Sequence, residues 1–320
     1  MSRRATSRLT RWTRRKLKRI SEAKEVNRVS RKKPHLVVAR LGAIAVATAL
    51  VACPAKEDPS KATTNPAASV NVEARVDPSR RAYHTKKVEG GKAVLVRVAF
   101  ASRRPVPSWP IPHMVQSQCG GSDHVTDEAL SASADLGANG AVVWLDDIHE
   151  GNSLPASAAS QDEKRCVFTP HVLALPASGT LKLSNGDPAN HAVRFDFEGD
   201  DALGFMKTLP GGGSVGVPIS EDWAGHVAKI TCPIHLWMWS YALFFGHPYF
   251  AVTEGGNARI EGVPAGTYHA TVWHEGTTST YDSSVKLSAP QTARAEVNVG
   301  EGEAKVEFRI ADDGRITSGR

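Results

Sequence analysis

The sequence predicts an all-β protein built from two β-sandwiches, and three observations carry that expectation. Short apolar runs are punctuated by turn residues: Val172–Leu175 and Leu181–Leu183 flank Pro176-Ala177-Ser178-Gly179. Longer runs alternate with a period of two. In His191–Glu198, His191, Val193, Phe195 and Phe197 share one face and Arg194, Asp196 and Glu198 the other. A third group, Gly255–Ile260 and Val263–Val272, has hairpin character, with Ala295–Val299 and Val306–Ile310 as closing strands.

At 320 residues the chain is long enough for two domains of ordinary size, each with its own core. The net charge of +6 is unevenly spread. Residues 1–53 carry 15 of the 39 Lys and Arg and 2 of the 33 Asp and Glu, which leaves 24 basic and 31 acidic residues from 54 onward. The folded part is therefore acidic, with a net charge of −7, and the case for a nucleic-acid partner falls away, because phosphate binding needs a basic surface.

The basic segment precedes an uncharged apolar run from Leu41 to Ala52, too short to span a bilayer comfortably but of the right length for a signal peptide. It closes with Leu50-Val51-Ala52-Cys53, which resembles a bacterial lipobox; the resemblance implies lipidation at Cys53, export and a membrane tether, with the outer membrane favoured where there are two. The length of the basic region leaves a later start, near Val26 or Val29, open. Residues 54–90 hold Pro54, Pro59, Pro66 and Pro78 among small and charged residues without apolar periodicity, and read as a flexible linker.

Of the four cysteines, Cys53 is assigned to lipid. Three remain, Cys119, Cys166 and Cys232, and one must be left over. Cys232 falls in a metal-ligand spacing, so Cys119–Cys166 is the natural disulfide of an exported chain, contributing roughly 3–4 kcal/mol through loop closure.

The spacing is Cys232-Pro-Ile-His235-Leu-Trp-Met238, directly after Val227–Cys232, in which Ala228, Ile230 and Cys232 point one way and Lys229 and Thr231 the other. His191 likewise begins on the core side of its strand. A thiolate, two imidazoles and a weak thioether make the donor set of blue-copper centres, whose soft sulfurs also suit Cu(I). The series Phe168-x-Pro170, Gly179, Asn185-x-Asp187, His191, Cys232-x2-His235-x2-Met238 resembles the cupredoxin family over residues 161–251, with the short ligand loop of amicyanin. The resemblance implies a Greek-key β-sandwich holding one type 1 copper through His191, Cys232, His235 and Met238. Two departures are visible. Ala192 stands where many members place an Asn that ties two ligand loops together, and Pro233 removes an amide donor beside the thiolate. The resemblance would place His171, after Phe168-x-Pro170, near the copper end of the sandwich as a fifth group or an electron-exit residue, against its plainer reading as an ordinary exposed histidine; His226 and His247 read as exposed in the same way.

The segment around Val263-Pro264-Ala265-Gly266-Thr267-Tyr268 resembles the carboxypeptidase-regulatory, transthyretin-like sandwich. Residues 91–160 would supply its opening strands, Ala93–Phe100 and Ala141–Leu145, and 252–312 the remainder, before a tail at 313–320. Ala141–Leu145 could equally open the copper domain. Trp273-His274-Glu275 reads as packing followed by residues facing solvent or the other domain, and Gly211-Gly212-Gly213 as a hairpin loop.

No nucleophile elbow, phosphate-cradling loop or His-Glu-x-x-His helix occurs, and an enzyme is not expected. The expectation is an exported electron carrier that exchanges electrons with a dehydrogenase or cytochrome through a His235 edge near the surface, with Leu236 and Trp237 as an apolar docking patch. Copper storage without a redox partner, or a structural surface module, remain the alternatives.

Overall fold

The computed structural model describes residues 83–276 and 290–319. The signal peptide, Cys53 and residues 54–82 of the linker lie outside them.

The chain is all-β apart from short turns of helix, and its strands form two sandwiches. In the first, a four-stranded sheet runs in the order Ser214–Pro218, Thr180–Asn185, Ser160–Lys164, Val167–Thr169. A five-stranded sheet runs Phe205–Leu209, His191–Phe197, Val227–Thr231, Trp239–Phe245, Val172–Pro176. Two pairs are parallel, Ser160–Lys164 with Thr180–Asn185 and Trp239–Phe245 with Val172–Pro176. Such pairs need crossovers between sheets. Gly211–Gly213 lies on one of them: it links Phe205–Leu209 in one sheet to Ser214–Pro218 in the other, and so is not a hairpin loop. Phe168, Leu181, Leu183 and Val217 from one sheet and Val193, Phe195, Ile230 and Phe244 from the other fill the core between them.

The second sandwich pairs Phe250–Val252, Val142–Asp146, Gly266–His274 and Gln291–Val299 in one sheet and Asn257–Val263, Lys92–Phe100, Ala304–Ile310 and Ile316–Ser318 in the other. Val142–Asp146 lies between Phe250–Val252 and Gly266–His274, so it pairs within this sandwich and not the first. Tyr268 turns back so that its hydroxyl donates to the Pro264 carbonyl at 3.2 Å. A Cβ on Gly266 would stand 2.9 Å from that hydroxyl, which accounts for the glycine in Pro-x-Gly-x-Tyr.

The sandwiches pack back to back through a third cluster: Val172, Val227, Trp239, Tyr241, Leu243 and Phe245 meet Val142, Trp144 and Trp273. Trp239–Phe245 is consequently buried at every position, one face in its own sandwich and the other at the junction. This is why it reads as a continuous apolar run and not an alternating one. The segment 108–130 forms a cap that carries a small hairpin, Ser108–Pro110 with Val125 and its neighbours, and the short helix His113–Gln116. Ile111 and Val125 of this segment join the core of the first sandwich.

Candidate metal centre

His191 is the first residue of its strand, Cys232 follows Val227–Thr231 directly, and these two strands are antiparallel neighbours. Their inward faces therefore bring both side chains to one end of the core. The loop after Cys232 is closed by backbone bonds from Met238 N to His235 O (2.9 Å) and from Cys232 N to Met238 O (3.2 Å). That closure turns His235 back toward Cys232.

All four residues are buried, His191 at 0% and His235 at 4% exposure. Cys232 Sγ lies 3.7 Å from His191 Nδ1 and 3.8 Å from His235 Nδ1, and the two Nδ1 atoms are 3.0 Å apart. Metal bonds of about 2.0 Å to nitrogen and 2.3 Å to sulfur would subtend roughly 120° across the sulfur–nitrogen separations and roughly 100° across the nitrogens. That is a trigonal arrangement, so the residues fit a copper ion. Met238 is buried in the same core cluster as Cys232. Burial lowers the pKa of both histidines; Asp187 opposes the shift at His191, and the proximity of His191 adds to it at His235. Both imidazoles are thus favoured in the neutral, metal-binding form.

The ring of His191 is oriented by Asp187, four residues earlier in the chain. Asp187 Oδ2 lies 3.1 Å from His191 Nε2. A carboxylate only accepts, so the imidazole proton sits on Nε2 and the Nδ1 lone pair faces Cys232. Asp187 also accepts from the amides of Arg165 and Cys166, each at 2.7 Å. These two residues form the tight turn between Ser160–Lys164 and Val167–Thr169, with φ of +56° and +54°. Neither is glycine, so the turn is strained, and the carboxylate holds it. Asn185 places Asp187 in turn: its Oδ1 accepts from Asp187 N at 2.9 Å, while its Nδ2 donates to Ala189 O at 2.8 Å and Leu209 O at 3.1 Å. The Asn185-x-Asp187-x3-His191 spacing was the signal available in sequence. With Ala192 unable to bridge loops, this network is what braces the site.

Cys119 and Cys166 form a disulfide, and it lies at the centre and not out on the cap. Both sulfurs are within 4.8 Å of a ring nitrogen of His235, and Cys166 Sγ is within 4.8 Å of a His191 ring nitrogen and an Asp187 oxygen. The His235 edge, expected near the surface, is buried, with the disulfide that staples the cap segment lying against its ring. Trp237 is also buried, its ring 5.3 Å from that of His235. The large apolar residues exposed on the loop are Ile234 (54%) and Leu236 (75%), so the expected docking patch keeps Leu236 and loses Trp237.

His171 is not exposed. Its Nε2 lies 2.6 Å from Glu275 Oε1, both side chains are buried, and Trp239 Nε1 donates to Glu275 Oε2 at 3.1 Å. Burial works against the charge on His171, but Glu275 together with Glu128 and Asp127 outweighs it and the pKa is raised; burial likewise works against the charge on Glu275, but His171, with His274 and Trp239, lowers its pKa. This ion pair joins the two sandwiches, so Glu275 faces the other domain, and His274 is buried beside it. His171, Glu128, Trp237 and Met238 line one small cavity, which places the pair near the thioether side of the centre. His226 and His247 are each partly buried, and burial pushes His247 down to about 4.

No family model matches this chain, and no curated protein does. Among solved structures, the chain is similar over a little under a third of its length to several, these three among them. One is a Cu-containing nitrite reductase from Thermus scotoductus SA-01, at 17% identity and a TM-score of 0.25, covering 29% of this chain and 24% of that one. Another is the reduced Cu(I) form at pH 4 of an amicyanin mutant, at 16% identity and a TM-score of 0.24, covering 28% and 85%. The third is a purple cupredoxin from Nitrosopumilus maritimus, at 21% identity and a TM-score of 0.23, covering 27% and 98%. The chain thus spans about a quarter of the length of the reductase it matches.

Proposed function

We propose that this chain is a copper protein that holds one ion through His191, Cys232, His235 and Met238 and serves in electron transfer, without enzymatic activity of its own. The observation that carries the reading is the convergence of two imidazole Nδ1 atoms and one thiol sulfur, all buried, within 3.8 Å of each other. Copper bound there would supply one-electron chemistry. The residues of the chain hold the donors in place whether or not the ion changes charge: Asp187 fixes the His191 ring, and the backbone bonds across the Cys232–Met238 loop fix its length. The apolar core around Cys232 and Met238 keeps water from the site.

The burial of His235 favours a second reading, in which copper is held and not rapidly exchanged for electrons, because a covered ligand edge lengthens the path to any partner. Ile234 and Leu236 are the loop residues available to a redox partner, a dehydrogenase or cytochrome in class. Export and a lipid tether at Cys53 complete the proposal; intact mass of the mature chain tests them, and an unmodified chain beginning before Cys53 would sink them.

The central test is a visible spectrum of the protein with Cu(II). An intense thiolate-to-copper band that vanishes in Cys232→Ser supports the site, and its absence from the wild-type protein overturns it. Electron exchange with a small cytochrome, followed by rapid mixing, then separates the readings: fast exchange supports the carrier, inert behaviour the holding role.

A further inference from the structure

The disulfide could have stapled the cap anywhere along residues 108–130. Instead, Cys119 Sγ, Cys166 Sγ and a His235 ring nitrogen lie within 4.8 Å of one another, all three residues buried. A disulfide sulfur is a poor ligand, but the two thiols it yields are good ones, and a pair of thiolates with an imidazole is a soft donor set suited to Cu(I). We propose that Cys119 and Cys166, once reduced, form with His235 a second metal site, selective for Cu(I) and adjoining the first. The proposal rests on the copper reading for its choice of metal.

The chemistry closes with a dithiol as reductant. One thiolate of the dithiol attacks a sulfur of the Cys119–Cys166 bond to give a mixed disulfide, and its second thiol then displaces the protein sulfur. The dithiol leaves as its own disulfide, two electrons pass to the protein, and Cys119 and Cys166 carry the two protons. Binding of Cu(I) releases those protons and leaves two thiolates on the metal. The placement gives this site a use. A Cu(I) ion held by Cys119, Cys166 and His235 is already bound to a residue of the first centre, so it can pass inward by exchanging thiolates while the shared imidazole keeps hold of it. Thiol–disulfide exchange with an oxidised dithiol, which takes up the two electrons and two protons and leaves as the dithiol, would then re-form the Cys119–Cys166 bond and close the cap behind the ion. Both sulfurs are inaccessible with the cap seated, so reduction requires residues 108–130 to lift.

The test uses the full-length chain in the Cys232→Ser background, which removes the thiolate of the first centre. Cu(I) retained per chain is measured under nitrogen against bathocuproine disulfonate, before and after reduction with a phosphine and desalting. The expected result is one additional equivalent of Cu(I) on reduction, lost in Cys119→Ser/Cys232→Ser and weakened about tenfold or more by a further His235→Ala. Equal retention before and after reduction overturns the proposal, and so does retention indifferent to His235. If the reduced variant loses its far-ultraviolet β signature, the wild-type chain decides by the same measurement: a rise of one equivalent supports the second site, and no rise rejects it. Failure of the copper reading itself would be seen separately, as no thiolate band in the oxidised wild-type protein with Cu(II).

Discussion

Asp187→Asn isolates the brace from the ligands. Three donors converge on the carboxylate: the amides of Arg165 and Cys166 and Nε2 of His191, at 2.7, 2.7 and 3.1 Å. Asparagine offers one acceptor oxygen and turns an NH2 group toward at least one of those donors. One hydrogen bond is lost outright and the others lose the benefit of the charge. At about 1.5–3 kcal/mol for each charge-assisted bond, the apo protein should lose about 2–4 kcal/mol, measured by urea unfolding. The strained turn at Arg165-Cys166 gives way first, since both of its amides donate to this carboxylate. Copper affinity, measured by competition with a chelator, should fall about 10–100-fold, because the His191 proton is no longer kept on Nε2. Asp162→Asn is the control: it removes a neighbouring charge that accepts from Ser184 Oγ at 2.9 Å and makes no bond to the His191 ring, and should leave copper affinity within about threefold. Unchanged stability and affinity in Asp187→Asn, or equal losses in both variants, would refute the assignment of Asp187 as the brace.

Three further outcomes follow from the same structure. Both carboxyl oxygens of Glu163 are buried without a hydrogen-bond partner among the described residues, and burial, followed by Asp162 and Asp187, pushes its pKa from 4.5 to about 8. The folded chain therefore binds a proton that the unfolded chain releases, and stability falls as pH rises from about 4.5 through about 8. Glu163→Gln should flatten that dependence and stabilise the protein by on the order of 3 kcal/mol near pH 7; a denaturation series with equal slopes for both proteins would contradict it. For the His171–Glu275 pair the signs oppose: the raised histidine pKa removes stability as pH rises through it, and the lowered glutamate pKa removes it as pH falls through it. Glu275→Gln should thus cost most between those limits, about 3 kcal/mol, with the gap from wild type narrowing at either end. Gly179, which forms a parallel β-bridge with Ser157, has φ of +88°, and a Cβ there would lie 2.4 Å from the Ser157 backbone; Gly179→Ala should lower stability by about 2 kcal/mol or more in thermal unfolding, and a neutral substitution would show that the bridge is not rigid.

The sequence by itself determined the strand character and the inward direction of His191 and Cys232, because a period of two is local and survives whatever the strands pair with. It also singled out the candidate donors, since Cys232, His235 and Met238 are close along the chain and only His191 must be brought in. What no local pattern could decide was how the parts meet. The covering of His235 depends on a segment more than a hundred residues earlier, held down by a disulfide whose place beside the imidazoles is a matter of packing. The His171–Glu275 pair forms only where two sandwiches press back to back, and along the chain Glu275 stays undecided between solvent and the other domain. Asp187 stood in view in the motif, but its role needed three donors from two other segments to arrive at one carboxylate. Periodicity records which way a side chain points, whereas tertiary structure alone decides what it meets there.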